Sequence, residues 1–181
     1  MPPSVLVPLI DGFEEIEAIT VIDILRRAGC RVTTAGVGNR SVAGSHDIRV
    51  EADTLLEIVA GDQFTAIVLP GGPGSAQLRD NMLLREMLKK HAAAGKLTAA
   101  ICAAPTVLAA AGLLEGKRAA CFPGTENLMG GANIVRESVV TDGPFLTSRG
   151  AGTAIPFALA VVAALLGKPA ADSISKSIVY T

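Results

Sequence analysis

Two side chains far apart in the chain have the types and settings for nucleophilic chemistry. Cys102 lies in Ala100-Ile101-Cys102-Ala103-Ala104-Pro105, where a short apolar run passes into a segment rich in Ala, Leu and Val. The first half, from Leu97, has the length of a buried strand bounded by Gly95-Lys96. The second half reads as a helix ending at Gly112. A cysteine at that junction points out of the carboxyl edge of a sheet, the edge at which open α/β sheets bind ligands. The positive end of the following helix lowers a thiol from about 8.5 towards roughly 3.5–7.5. This is the layout of a nucleophile elbow with sulfur in place of a hydroxyl. Cys30 and Cys121 read instead as small core residues among apolar neighbours.

The second group is Glu17. A helix opens at Glu14, with Glu14 and Glu15 in its first turn and Arg26-Arg27 in its last, both suited to the helix dipole. Steps of four, three and four residues from Glu17 reach Val21, Ile24 and Ala28, which places Glu17 on the apolar stripe facing the sheet. A carboxyl there must be hydrogen-bonded or protonated. Between a thiol and a carboxyl, ordinary pKa values leave a shared proton on sulfur by roughly 4 units, near 6 kcal/mol. Two negative charges about 4 Å apart repel by roughly 4 kcal/mol at an effective dielectric of 20, so one of the pair stays protonated. The expectation is that desolvation raises Glu17, that amides stabilise the sulfur, and that Cys102 is a thiolate at neutral pH. A third element, Pro70-Gly71-Gly72-Pro73-Gly74-Ser75, follows a buried strand and brings backbone amides towards the same edge. It is neither a Walker loop nor a dinucleotide fingerprint.

The elements that position these residues follow from composition and pattern. The chain has 181 residues, half of them hydrophobic but only 3 % aromatic, so the core is built of Ala, Val, Leu and Ile, as in parallel sheets covered by helices. Strands are expected at Val5–Ile10, Arg31–Gly36, Thr65–Leu69, Leu97–Ile101 and Arg118–Cys121, with helices at 14–28, 81–94 and 154–166 and a final short helix at 168–179. Residues 38–53 read as an excursion or hairpin at one sheet edge, and Asp142-Gly143 as the turn of a second hairpin. Residues 123–133 read as a polar loop. The alternation implies one α/β domain over residues 1–181, a three-layer α/β/α sandwich of flavodoxin type with a mostly parallel sheet. A net charge of −1 and the lack of a basic run argue against a nucleic-acid partner. Three unpaired cysteines fit a reducing compartment. No stretch is long and apolar enough for a membrane span, and no leader or sorting signal is read, so a soluble, cytoplasmic protein is expected.

Four segments together resemble the ThiJ/PfpI superfamily, and within it the branch of the Parkinson-disease-associated protein deglycase and its bacterial relatives. They are Asp11-Gly12-Phe13-Glu14-Glu15-Ile16-Glu17, Leu69-Pro70-Gly71-Gly72, Ala100 to Pro105, and Thr147-Ser148-Arg149-Gly150-Ala151-Gly152-Thr153. The likeness runs end to end in the family's order. It implies that Cys102 is the reactive, oxidation-sensitive cysteine and that Glu17 is the acid hydrogen-bonded to it. It implies that the N–H groups of Gly72 and Ala103 are oxyanion-hole donors. Glu14, Gly71, Phe122, Pro123, Arg149 and Gly150 are then expected to line the site, with Arg149 to Gly152 also near a homodimer contact. Arg27 and His46 match a small surface anion site in some relatives. Neither a metal nor a cofactor is implied. One departure matters: Phe122 stands where some members carry a histidine before the proline, and Ala103 follows the nucleophile where protease-like members have one.

The resemblance therefore implies a cysteine-dependent, glutathione-independent glyoxalase or protein deglycase. Its substrates would be methylglyoxal, glyoxal and early glycation adducts, handled through a Cys102 hemithioacetal. The alternative is a redox-sensing chaperone that oxidises Cys102 without turnover. A cysteine peptidase is a distant third, disfavoured because neither His46 nor His91 matches a catalytic position.

Overall fold

The computed structural model describes residues 1–180. Eleven strands and seven α-helices follow one another as β1 (Ser4–Leu9), α1 (Glu15–Arg27), β2 (Arg31–Gly36), β3 (Ser41–Ala43), β4 (Arg49–Glu51), β5 (Thr54–Leu55), α2 (Leu56–Val59), β6 (Ala66–Leu69), α3 (Ser75–Asp80), α4 (Met82–Ala93), β7 (Leu97–Ile101), α5 (Pro105–Ala110), β8 (Arg118–Ala119), β9 (Asn133–Ile134), β10 (Val139–Asp142), β11 (Phe145–Ser148), α6 (Ala154–Leu166) and α7 (Lys168–Ser177). The main sheet has seven strands in the order β10-β11-β7-β6-β1-β2-β5, and within it only β10 and β11 pair antiparallel. This is the expected three-layer α/β/α sandwich with a flavodoxin-like, mostly parallel sheet.

Why the strands read as continuous apolar runs is plain from their surroundings. Every residue of β1 and of β6 is buried, because helices cover both faces. Side chains alternate between the layers: Val5, Val7 and Leu9 pack with Val21 and Leu25 of α1 and Phe157 and Val161 of α6. Leu6 faces the other way, towards Leu84 and Leu88 of α4 and Val107 of α5. Glu14 caps α1, its carboxylate accepting the Ile16 N–H at 3.4 Å, and Asn81 caps α4, accepting the Leu84 N–H at 2.9 Å.

Several expectations need correction. Helix α3 was not foreseen, nor were β5 and α2; each is six residues or fewer, too short to show a period. The strand expected over Arg118–Cys121 is only two residues long. It pairs with β9, inside the region adjoining the expected polar loop, in a separate two-stranded ribbon. Helix α5 stops at Ala110, before Gly112, and α7 stops at Ser177. The hairpins are as expected, with β3 pairing β4 and β10 pairing β11. No helix among the described residues is long and apolar enough to cross a membrane.

Candidate active site

The sheet topology dictates where a site can form. Strand β1 has β2 on one side and β6 on the other, so the chain reverses its direction of travel across the sheet between β1 and β6. Ligands bind outside the carboxyl ends of strands at such a point. Here those ends carry Asp11 to Glu17 after β1, Pro70 to Ser75 after β6, and Cys102 after β7, one strand further along.

Cys102 adopts φ +66°, a left-handed conformation costly for a residue with a side chain, by roughly 1–2 kcal/mol. Two hydrogen bonds hold it there. Its N–H donates to the Ser148 carbonyl at 3.0 Å and its carbonyl accepts the Phe122 N–H at 2.7 Å. The elbow turns the thiol back towards Gly71, whose lack of a side chain is a steric requirement. A Cβ on Gly71 would lie 2.6 Å from the Cys102 Cβ and 2.8 Å from Glu17 Oε2. Gly72 has φ +99°, and a Cβ there would collide with the backbone of Gly12 to Glu14.

Glu17 is buried to 1 % exposure on the sheet-facing side of α1. Its Oε2 accepts the Gly71 N–H at 2.8 Å, while Oε1 closes no well-formed bond. The Cys102 thiol faces the same carboxyl as its hydrogen-bonding neighbour. Burial raises Glu17 to about 7 despite the Gly71 and Cys102 hydrogen bonds. Burial, followed by the charge and the hydrogen bond of Glu17, pushes the Cys102 thiol up to about 12, against the pull of the Gly72 and Ala103 N–H groups. The expected thiolate is thus corrected: the amides do act on the sulfur, but burial beside an acid outweighs them. Above about pH 7 the pair holds one proton between two groups, and that coupled form is the chemically useful one.

A pocket of about 380 Å³ opens over the sulfur. Glu14, Gly72, Ala103 and Phe122 line it, and Gly71 lies against the Cys102 Cβ. Phe122 is 47 % exposed and sits against Gly150. Pro123 and Arg149 line an adjoining pocket with Cys121 rather than this one. Arg27 and His46 are not brought together within one copy of the chain. Arg27 pairs with Asp23 at 2.6 Å near the end of α1, whereas His46 pairs with Glu15 at 2.9 Å near its start.

Sequence reasoning missed the wall that α3 supplies. Ser75, Ala76 and Arg79 line the pocket, together with Thr106 of α5 and Thr125. The usable signal was Ser75 after a glycine-rich turn, followed at helical spacing by Arg79.

Beside the pocket, Glu14, Glu15 and His46 present ligand atoms within 4.8 Å of one another, the geometry of a cation site. The cluster is closed by its own bonds. The Ser45 hydroxyl donates to Glu15 at 3.2 Å, and the His46 N–H donates to Glu15 at 2.6 Å. Burial pushes Glu15 up, but these bonds and the His46 ring prevail and hold it at about 2. The same partner raises His46.

Comparison with known proteins adds a lineage to this geometry. Residues 3–164 match the DJ-1/PfpI family. Protein DJ-1 homolog B of Arabidopsis thaliana is 44 % identical over 180 residues, covering 97 % of this chain but 41 % of that protein, so the chain spans less than half of its length. The glutathione-independent glyoxalase DJR-1.2 of Caenorhabditis elegans is 37 % identical over 174 residues, 95 % of this chain and 92 % of that one. The crystal structure of Drosophila melanogaster DJ-1beta superposes with a TM-score of 0.96 at 41 % identity, covering 99 % of this chain and 98 % of that one. With the elbow cysteine and its buried acid in the same fold, the chain belongs to the DJ-1/PfpI family.

Proposed function

We propose that the protein is a glutathione-independent glyoxalase that converts small α-oxoaldehydes such as methylglyoxal and glyoxal to 2-hydroxycarboxylates, and that it releases early glycation adducts by exchange, the adduct's amine or thiol leaving with a proton as the Cys102 sulfur takes its place in the same hemithioacetal. The observation that carries the reading is the Cys102–Glu17 pair at the base of an open pocket, with Glu17 raised to about 7. A general acid–base group works best when its pKa lies near the operating pH. The family relative named as a glutathione-independent glyoxalase supports the same reading.

In the proposed mechanism the Glu17 carboxylate takes the thiol proton as sulfur adds to the aldehyde carbon. The new oxyanion is held by the Gly72 and Ala103 N–H groups, which already act on the sulfur. Glu17 protonates that oxygen to complete the hemithioacetal. It then moves the proton from the former aldehyde carbon to the neighbouring carbonyl carbon through an enediol. The resulting thioester is cleaved by water, giving the hydroxyacid and the free thiol, so aldehyde plus water gives product without an external oxidant.

We extend the proposal to a homodimer. Ile16 and Ile19 of α1 are 56 % and 44 % exposed, beside the site, and a second copy is the occupant we assign to that face.

The test is lactate formation from methylglyoxal by purified protein without glutathione. Wild type is expected to turn over and Cys102→Ser to be inactive. Loss of all turnover in the wild type, with Cys102 oxidised by mild peroxide ahead of Cys30 and Cys121, would replace this reading with the redox-sensing one.

A further inference from the structure

The pocket over Cys102 contains a cation that is paired with no acid of the described chain. Arg79 stands in the last turn of α3, half-buried, and forms no hydrogen bond or ion pair with any described residue. Its placement follows from the fold. Ser75 opens α3, and four residues later Arg79 falls on the same side of the helix, so both face the pocket. Among the described residues three other arginines have acidic partners, Arg26 with Asp53, Arg27 with Asp23 and Arg118 with Glu137, and none of these lines the pocket.

Most of the remaining wall offers Arg79 no partner. Pro73, Ala76, Ala103 and Phe122 carry no charge. Glu14 is the acid on the wall; its Oε1 accepts the Ile16 N–H at 3.4 Å, and it forms no ion pair with Arg79. A guanidinium against apolar surface, partly withdrawn from water, binds a carboxylate through paired charge-assisted hydrogen bonds. Size points the same way. Methylglyoxal has about five heavy atoms and, at roughly 30 Å³ for each water-sized unit, fills on the order of 150 Å³. The pocket of about 380 Å³ leaves more than half its volume to a longer molecule.

Resting on the reading that Cys102 adds to α-oxoaldehydes, we propose that Arg79 is a specificity-determining residue that binds a carboxylate at the end of the substrate remote from the aldehyde. The preferred substrates are then anionic α-oxoaldehydes, of which 4,5-dioxopentanoate is the simplest probe. The chemistry at the reacting end is unchanged. Sulfur adds to the aldehyde carbon, the proton on that carbon moves to the adjacent carbonyl carbon, and water cleaves the thioester. 4,5-Dioxopentanoate plus water thus gives 2-hydroxyglutarate, with no change in total oxidation level.

Two measurements test this. The first is the ratio of kcat/KM for 4,5-dioxopentanoate to that for methylglyoxal. It is expected to exceed ten in the wild type, to fall at least tenfold in Arg79→Gln, and to recover in part in Arg79→Lys. A ratio that Arg79→Gln leaves unchanged overturns the proposal. The second needs no turnover: the rates at which anionic iodoacetate and neutral iodoacetamide alkylate Cys102, read by mass spectrometry. The iodoacetate-to-iodoacetamide ratio is expected to fall at least fivefold in Arg79→Gln, and equal ratios in the two proteins again overturn the subsite. A fall in that ratio in a protein that turns over neither aldehyde upholds the Arg79 subsite while removing the glyoxalase reading.

Discussion

Ionising a carboxyl buried to 1 % exposure is unfavourable, and in the proposed mechanism Glu17 makes that cost serve catalysis. Its pKa rises from 4.5 to about 7 on folding, so between those values the folded chain keeps a proton that the unfolded chain releases. The stabilisation is complete below pH 4.5 and is lost as pH rises through 7, to the extent of about 3 kcal/mol. Catalysis runs the opposite way, because the base form appears only as pH passes about 7. Turnover of methylglyoxal is therefore expected to rise through that pH while the melting temperature falls. Glu17→Gln separates the two. It keeps the shape and cannot ionise, so its melting temperature at pH 8 should equal or exceed that of wild type. Its turnover should drop by about 10²–10⁴ and lose the rise near pH 7. Retention of more than half the activity would show that Glu17 is no acid–base catalyst, and unfolding would show that its role is structural.

At the scale of elements, the start of α1 and the β3–β4 hairpin act as one unit. The Gly12 N–H donates to the Ala43 carbonyl at 2.8 Å, the Ala43 N–H to Asp11 at 2.8 Å, and the Ser45 N–H to the Phe13 carbonyl at 2.8 Å. Glu15 closes the unit from the helix side through His46. Its folded pKa of about 2 lies below the ordinary 4.5, so its contribution is present above pH 4.5 and lost as pH falls through 2. Glu15→Gln should lower stability at neutral pH by about 2 kcal/mol. It should also return the His46 titration, followed by NMR, towards its ordinary value. An unmoved His46 titration would mean that the pair does not exist in solution. This clamp was not legible in the sequence, although Glu17 was. Glu17 interrupts a helical stripe of apolar residues, a pattern carried by one element alone. Glu15 gains its meaning from a hairpin thirty residues away, and no local period encodes that meeting. The same reasoning explains α3: six residues give too few turns to show a face, and only the spacing of Ser75 and Arg79 hints at one.

Across the whole molecule, strand order does what no single element can. Buried apolar runs reveal which segments are strands, and their alternation with helices reveals a parallel sheet. The order that sets β6 between β1 and β7, and so brings Glu17, Gly71 and Cys102 to one edge, is a property of the whole sheet that this pattern does not carry. The exposed face of α1 belongs to this scale too. Light scattering is expected to give twice the 18.5 kDa chain mass for wild type, and the mass of a single chain for Ile19→Glu. A wild type of single-chain mass would refute the proposed homodimer.

The hole left by the absent side chain of Gly71 ties three positions into one evolutionary unit. A Cβ there would press on the nucleophile and on the acid at once. Any descendant of this chain that acquires a side chain at 71 must first shrink or displace its neighbours at 17 and 102, which means giving up the reaction before the new residue is tolerated. If the proposed reaction is this protein's, the route from it to a differently catalytic relative therefore passes through an inactive protein, and a library that randomises position 71 alone should return glycine and little else.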